Sequence, residues 1–267
     1  MTRPIRIAAQ LHPQHGDYCS LRQAVTSAET MGFDIVYNWD HFFPLYGDAD
    51  GAHFESWTML GAWAEQTSAI EFGPLVSCTS YRNADLIADM ARTLDHISGG
   101  RFVLGLGAGW FSRDYEEYGF EFGTAGSRIA GLEAALERIQ ARWDRLNPAP
   151  VRRPPILIGG TGERKTLRLV AEHAQGWHAM FPDHPSELEP KVEALLGWCE
   201  RVGRDPSDIE WGLGLEPEVP GQMRALEEHA DTYVEMGFTQ FTLGYNGPDW
   251  DVSTATPWLE WRDRRNS

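Results

Sequence analysis

Short apolar runs and amphipathic helical patterns alternate along the whole chain, and this alternation limits the fold more than any other feature. Eight runs have the length and the turn-forming flanks of buried strands. They are Ile5–Ala9, Asp34–Asn38, Ile70–Cys78, Arg101–Gly107, Ile156–Ile158, Gly176–Met180, Ile209–Leu215 and Phe241–Leu243. Strands that alternate with helices form parallel sheets. Eight of them in 267 residues predict an α/β fold, a (β/α)8 TIM barrel, with a doubly wound sheet as the alternative.

Seven helical patterns separate these runs. They are Leu21–Met31, Phe54–Thr67, Asp85–Ile97, Gly131–Leu146, Thr166–His173, Pro185–Val202 and Gly221–Met236. Ser20 is expected to cap the first helix. Two glycine-rich and aromatic stretches, Phe42–His53 and Phe111–Arg128, are predicted to be loop insertions at the C-terminal rim of the barrel. The proline-rich segment Asn147–Pro155 is predicted to join two halves of one barrel, so residues 1–267 form a single domain.

Composition excludes several classes of partner. The formal net charge of −16 argues against binding to nucleic acid and to anionic membranes. No apolar stretch approaches the roughly 20 residues that span a bilayer, and no signal peptide pattern is visible. The three cysteines are scattered, which favours reduced thiols without a disulfide framework. We therefore expect a cytoplasmic protein that acts on a small molecule.

A glycine-rich turn follows the fifth predicted strand and leads directly into a helix. Backbone N–H groups in such a turn can bind a phosphate, and the helix dipole adds to the attraction. The residues of the turn are Gly159, Gly160, Thr161 and Gly162. Arg164, Lys165 and Arg168 follow and form a local basic patch. The alternative is an ordinary strand-to-helix turn with solvated charges on the helix.

Polar residues follow the first two predicted strands, at the rim where barrel active sites lie. Asp40 and His41 come after the second strand, and a histidine beside a carboxylate can move a proton near neutral pH. His12 follows the first strand and would share the rim with His41. No HxH or HExxH spacing occurs, so the sequence predicts no metal site. The alternative for Asp40 and His41 is a loop without a chemical role.

The third predicted strand ends in small polar residues. Ser77 and Cys78 could hydrogen-bond a heterocyclic ring at the rim, or they could belong to a capped loop before the next helix. Several of the eleven tryptophans lie near predicted strand ends. Aromatic walls suit a flat, mostly apolar ligand, although core packing explains such residues equally well.

Three segments together resemble one family. They are the rim segment Asp40–Phe42, the stretch from LVSCTSYRN to ARTLDHISGGRFVLGLGAGW, and the block IGGTGERKTLRLVAEHAQGW. In these segments the chain resembles the luciferase-like monooxygenase superfamily, in its branch that depends on the deazaflavin coenzyme F420. The resemblance runs from the first strand to about Pro182. It implies a (β/α)8 barrel with the cofactor at the C-terminal rim.

The resemblance also implies a set of cofactor-binding residues. Asp40 would contact the deazaflavin or its side chain, and Met180 would lie close to the phosphate. Gly107, in the glycine-rich end of the fourth strand, would belong to the cofactor site. The residues that would hold the phosphate are Gly159, Gly160, Thr161 and Gly162.

The same resemblance makes His41 the catalytic residue. Ser77–Cys78 falls where the family often has a non-proline cis peptide bond against the cofactor ring, so we expect a cis bond or a bulge there. The sugar-phosphate dehydrogenases of this branch carry a catalytic glutamate after the fourth strand, where this chain has Trp110. This departure argues for a less polar substrate than a sugar phosphate.

The sequence therefore predicts a coenzyme F420-dependent oxidoreductase. Hydride would pass between C5 of the deazaflavin and a small organic substrate, with His41 as the proton donor or acceptor, and the protein would form a homodimer. The nearest alternative is a monooxygenase or reductase that uses FMN on the same fold. Two others are a flavin-binding protein without catalysis and a metal-dependent hydrolase built on His12 and His41.

Overall fold

Parallel strands form a nearly closed barrel, with helices between them. The computed structural model describes residues 3–180, 182, 184–216 and 221–267. The strands are β1 Arg6–Leu11, β2 Ile35–Asn38, β3 Glu71–Pro74, β4 Ser77–Cys78, β5 Leu104–Gly107, β6 Ile156–Gly159, β7 Gly176–Met180, β8 Glu210–Leu215 and β9 Phe238–Tyr245. Their order in the sheet is β3-β2-β1-β9-β8-β7-β6-β5-β4, and neighbouring strands are parallel. The predicted TIM barrel is confirmed.

The third predicted strand is divided into β3 and β4, which accounts for nine strands where eight were expected. A bridge between Phe72 and Phe102 joins β3 to the segment before β5, and Val103 N–H donates to the Phe72 carbonyl at 2.9 Å. β4 pairs with β5 directly. Both parts of the third strand therefore contact β5 or the segment directly before it, and these contacts bring the two ends of the sheet together.

A non-proline cis peptide bond lies at this division. It joins Leu75 to Val76. The prediction that placed such a bond at Ser77–Cys78 was wrong, because these two residues form β4 and pair in register with β5.

One helix has the predicted bounds, the other six predicted helices differ from the structure by one to six residues at an end, and two of the described helices were not predicted. Their bounds are α1 Tyr18–Met31, α2 Ser56–Gln66, α3 Ala84–Ser98, α4 Ser112–Tyr118, α5 Ala125–Trp143, α6 Thr166–His173, α7 Glu189–Val202, α8 Gln222–Met236 and α9 Thr256–Asn266. The new helices are α4 and α9. Because α4 and the start of α5 lie within Phe111–Arg128, this rim insertion is largely helical.

Asp17, not Ser20, caps the first helix. The Asp17 carboxylate accepts the N–H of Ser20 at 2.9 Å, so Ser20 already lies inside the helix. A carboxylate at this position also interacts well with the helix dipole. The helix therefore begins three residues before the predicted start.

Apolar side chains fill the lower part of the barrel and leave its upper end open. The cluster inside the strands consists of Ala8, Ile35, Tyr37, Leu75, Val103 and Leu157, with Val76 packed against it. A larger cluster fills the space between strands and helices. Within the described ranges, no helix combines the length and apolar character that a membrane crossing needs. The three cysteines are free thiols.

Candidate functional site

A cavity of about 400 Å³ opens at the carboxyl ends of the strands. It brings together seven of the ten site residues predicted from the sequence, which are Asp40, His41, Cys78, Gly107, Gly159, Gly160 and Met180. Ser77, Thr161 and Gly162 do not line it. The cavity also contains residues that sequence reasoning did not select, among them Gln10 and Glu216. The closed arrangement of the strands therefore brings these seven residues together around one cavity.

Glycines shape the floor of this cavity around one side chain. A Cβ atom on Gly107 would lie 2.5 Å from Cγ2 of Val76, and one on Gly159 would lie 3.1 Å from Cγ1. Gly109 adopts a φ of +79°, where a Cβ atom would collide with the hydroxyl oxygen of Tyr115. A side chain at Gly107 or Gly109 would require neighbouring atoms to move, and one at Gly159 would be tightly packed, so the backbone itself forms much of the floor.

The glycine turn after β6 has one amide that donates to the backbone and two that do not. The N–H of Gly160, which has a φ of +117°, donates to the His178 carbonyl at 3.0 Å. This amide is therefore not free for an anion, contrary to the prediction. The N–H groups of Thr161 and Gly162 donate to no acceptor among the residues that the structure describes. They come directly before α6, whose N-terminal dipole favours a negative charge.

The basic patch beside this turn is smaller than predicted. Arg168 is paired with Glu133 at 2.7 Å and with Glu172 at 2.6 Å, so it stabilises the helix surface. Arg164 and Lys165 are exposed at the start of α6. These two cations are the ones that remain near the turn for an anionic ligand.

His41 forms a dyad with a buried carboxylate. Its Nδ1 lies 2.7 Å from Oδ2 of Asp114, which is fully buried and also accepts the hydroxyl of Tyr81 at 2.9 Å and the N–H of Phe42 at 3.0 Å. A carboxylate only accepts hydrogen bonds, so Nδ1 of His41 carries the proton. In the neutral ring Nε2 is then the free base. The geometry suits general acid–base catalysis at the cavity wall.

Sequence reasoning missed Asp114 because it lies 73 residues from His41. The sequence shows only that Asp114 is a carboxylate within a predicted rim insertion. Nothing in the neighbouring residues indicates that it contacts His41. Trp110 stands at the mouth of the cavity, 63% exposed, with its ring edge-on to His41 at 5.7 Å between centroids. The tryptophan therefore covers His41 at the position where the resemblance to sugar-phosphate dehydrogenases predicted a glutamate.

Asp40 organises the rim beneath the cavity. Arg82 donates to both of its oxygens, at 2.6 and 3.0 Å. The hydroxyl of Ser77 and the N–H of Cys78 donate to Oδ2 of Asp40 at 2.7 and 3.1 Å. Ser77 also accepts the indole N–H of Trp57 at 2.9 Å. The Asp40 charge is thus neutralised by Arg82, and Ser77 serves as a buried link between strands.

The remaining buried titratable groups of the site are neutral. Burial lowers the pKa of His12 to about 4 and that of His178 to about 3. Burial also raises the pKa of the Cys78 thiol, which lies 3.2 Å from the hydroxyl of Tyr115. A protonated thiol is a poor nucleophile. In the described part of the chain, no three histidine, cysteine or acidic side chains come together as metal ligands.

Comparison with known proteins agrees with this fold. A model of the luciferase-like monooxygenase family matches residues 1–256. The phthiodiolone/phenolphthiodiolone dimycocerosates ketoreductase of Mycobacterium tuberculosis is 26% identical over 281 residues, which cover 91% of this chain and 72% of the ketoreductase.

Two solved structures show the same architecture. One is an F420-dependent secondary alcohol dehydrogenase in complex with an F420-acetone adduct, with a TM-score of 0.84, 18% identity and coverage of 99% of this chain and 100% of that one. The other is the oxygenating constituent of 3,6-diketocamphane monooxygenase from Pseudomonas putida in complex with FMN. Its TM-score is 0.73 at 15% identity, with coverage of 98% and 96%.

Proposed function

Because the chain belongs to the luciferase-like monooxygenase family, we propose that this oxidoreductase uses coenzyme F420 and transfers hydride between C5 of the deazaflavin and a small organic substrate. The observation that carries the proposal is the dyad of His41 and Asp114 beside a cavity with a glycine floor. The similar fold of an F420-dependent secondary alcohol dehydrogenase supports it.

The residues of the cavity fit a flat cofactor with an anionic side chain. The floor around Val76 admits no side chain at Gly107, which leaves room for a ring. The amides of Thr161 and Gly162 would hold the phosphate, and Arg164 and Lys165 would meet the anionic tail. When bound, the deazaflavin supplies a carbon that accepts or donates hydride.

The chain itself supplies the proton transfer. Nε2 of His41 takes the proton from a substrate hydroxyl during oxidation and returns one to the substrate oxygen during reduction. Asp114 fixes the ring in the tautomer that leaves Nε2 free, and it stabilises the imidazolium ion when the proton arrives. Trp39 and Trp110 pack edge-on against the His41 ring and limit the access of water.

A fluorescence titration with F420 and with FMN tests the cofactor. We expect tighter binding of F420, because Arg164 and Lys165 add charge complementarity to its longer anionic tail. The similar structure that contains FMN makes FMN the competing cofactor. Tighter binding of FMN, together with oxygen consumption during turnover, would replace the proposal by a flavin monooxygenase.

The variant His41→Ala tests the catalytic assignment. We expect turnover to fall by about 10²-fold or more, since a positioned base contributes about 10²–10⁴-fold, while the affinity for the cofactor stays the same. His96→Ala, at an exposed position on α3, is the matched control. Unchanged turnover in His41→Ala would make this histidine a structural residue of the rim.

A further inference from the structure

Two tryptophans hold the backbone of the glycine turn after β6. The indole N–H of Trp177 donates to the carbonyl of Gly160 at 2.9 Å, and the indole N–H of Trp198 donates to the carbonyl of Glu163 at 2.7 Å. Trp177 lies on β7 and is fully buried, whereas Trp198 lies on α7 and is half-buried. Side chains from two different elements therefore fix the turn within its glycines and directly after them.

These two bonds determine the direction of two backbone amides. A trans peptide group is planar, and its C=O and N–H bonds point in opposite directions. The carbonyl of Gly160 shares a trans peptide group with the N–H of Thr161, so this N–H points away from the Trp177 indole. By the same reasoning, the N–H of Arg164 points away from the Trp198 indole. Neither amide donates to an acceptor within the part of the chain that the structure describes.

The other contacts of the turn also suit an anion. The N–H of Leu167 donates to the Gly162 carbonyl at 3.0 Å, so this oxygen is bonded within the protein as well. The carboxylate of Glu163 pairs with the ammonium group of Lys191 at 2.5 Å, which compensates its negative charge. The N-terminal dipole of α6 adds a further attraction. The turn therefore offers amides to a ligand, while the carbonyls that would repel an anion are bonded elsewhere.

We propose that Trp177 and Trp198 are positioning residues for the phosphate of the cofactor, because they keep the amides of Thr161 and Arg164 turned toward it; this inference rests on the proposed function. Neither tryptophan lines the cavity, so each acts through the backbone carbonyl that it holds. Donors that are already in place cost less to order when the ligand binds. Loss of an indole N–H should therefore weaken the binding of the phosphate and leave the binding of the ring unchanged.

A pair of ligands with and without the phosphate tests this inference. F420 and its phosphate-free riboside share the deazaflavin ring, and fluorescence titration gives the dissociation constant of each. The ratio of the two constants measures how much the phosphate and the groups beyond it contribute to binding. We expect the wild type to bind F420 about tenfold more tightly or better, since charge-assisted hydrogen bonds are strong. Equal affinities in the wild type would overturn the inference, because the turn would then hold no phosphate.

The variant Trp198→Phe removes the indole N–H and keeps an aromatic ring near Arg201, whose guanidinium carbon lies 4.6 Å from the Trp198 ring centroid. We expect the preference for F420 to fall by about three- to tenfold, as the loss of one hydrogen bond predicts, while the affinity for the riboside changes less than about twofold. Trp143→Phe is the matched control, because Trp143 also donates to a carbonyl, that of Ala88 at 3.1 Å, and also has an arginine over its ring. A full preference for F420 in Trp198→Phe would overturn the positioning role.

Amide resonances of the wild type test the same inference without a variant. F420 or the riboside is added to ¹⁵N-labelled protein, and the proton shifts of the Thr161 and Arg164 amides are followed. We expect F420 to move both resonances further downfield than the riboside does, because only F420 brings a phosphate to these amides. Equal shifts with the two ligands would refute the proposed direction of the amides.

The same titrations separate this inference from the proposed function. FMN and riboflavin differ only in the phosphate, so they give the corresponding ratio if the protein binds a flavin in place of F420. A loss of preference for FMN in Trp198→Phe, in a protein that does not bind F420, would refute the cofactor assignment and support the positioning role. Binding of F420 with a preference that Trp198→Phe leaves unchanged would keep the cofactor assignment and refute the positioning role.

Discussion

The substitution Asp114→Asn tests whether the buried carboxylate controls the proton on His41. An asparagine has the same shape but offers one acceptor oxygen and one NH₂ donor. The oxygen can keep the Phe42 N–H, which lies 3.0 Å from Oδ1 of Asp114. The NH₂ group then replaces the atom that faces His41 at 2.7 Å and Tyr81 at 2.9 Å. His41 must turn Nδ1 into an acceptor and carry its proton on Nε2.

The expected loss of stability follows from the same three contacts. All three hydrogen bonds can be remade in neutral form, because the Tyr81 hydroxyl rotates and His41 changes tautomer. Each charged bond is worth about 1.5–3 kcal/mol and each neutral one about 1 kcal/mol, and the variant no longer buries a charge. We therefore expect a decrease of roughly 2 kcal/mol in the free energy of unfolding. Asp114→Ala leaves three buried donors without partners and should cost more than about 3 kcal/mol.

Two measurements check this reasoning. Nitrogen chemical shifts of the imidazole show which ring atom carries the proton, and we expect Nδ1–H in the wild type and Nε2–H in Asp114→Asn. Turnover should fall by about 10²–10⁴-fold, because Nε2 no longer accepts a proton. An unchanged tautomer in Asp114→Asn, or unchanged turnover after a demonstrated change of tautomer, would refute the role of Asp114.

Further predictions concern the cavity floor and the buried histidines. Gly107→Ala should destabilise the protein by about 1–3 kcal/mol and weaken cofactor binding in a fluorescence titration, because its Cβ atom displaces Val76. Gly61 lies on α2, and a Cβ atom there would meet no other atom within 4 Å. Gly61→Ala should therefore stabilise the protein by about 0.5–1 kcal/mol. Burial lowers the pKa of three histidines to between about 3 and 4: His12, His53 and His178. Since the unfolded chain binds these protons below about pH 6.5 and the folded chain does not, the free energy of unfolding should fall between pH 6.5 and pH 4 by about 1.4 kcal/mol per pH unit for each histidine. In denaturant titrations at several pH values, His178→Gln should remove the contribution of one histidine, about 1.4 kcal/mol per pH unit, from this pH dependence. An unaltered pH dependence would contradict the lowered pKa of His178.

The predicted bounds agree with the structure for elements whose sequence shows one clear hydrophobic pattern between turn residues. β7 and α6 have the predicted bounds, because an apolar run and an amphipathic pattern stand between clear turn residues. α4 was missed since its seven residues bury only Asp114 and Tyr115, which leaves no apolar stripe to recognise. α9 was missed because it is strongly polar and buries few side chains.

The site was predictable where it depends on the backbone and unpredictable where it depends on distant side chains. Gly107 and Gly159 lie in glycine-rich strand ends that the sequence displays directly. The partners of His41 and Asp40, which are Asp114 and Arg82, lie 73 and 42 residues away along the chain. Only the closed barrel brings these pairs together, so no local pattern records them.

His41 directly precedes the first rim insertion, and Asp114 lies in the second, so the dyad depends on the contact between the two insertions as well as on the barrel. Asp114 lies on α4, and the ring of Tyr118 at the end of that helix stacks on Phe42 with 4.0 Å between centroids. Separation of the two insertions would break the dyad while every strand of the barrel stayed paired. Local openings of this kind need less free energy than global unfolding. Heat should therefore inactivate the enzyme reversibly at temperatures where its circular dichroism is still that of the intact barrel.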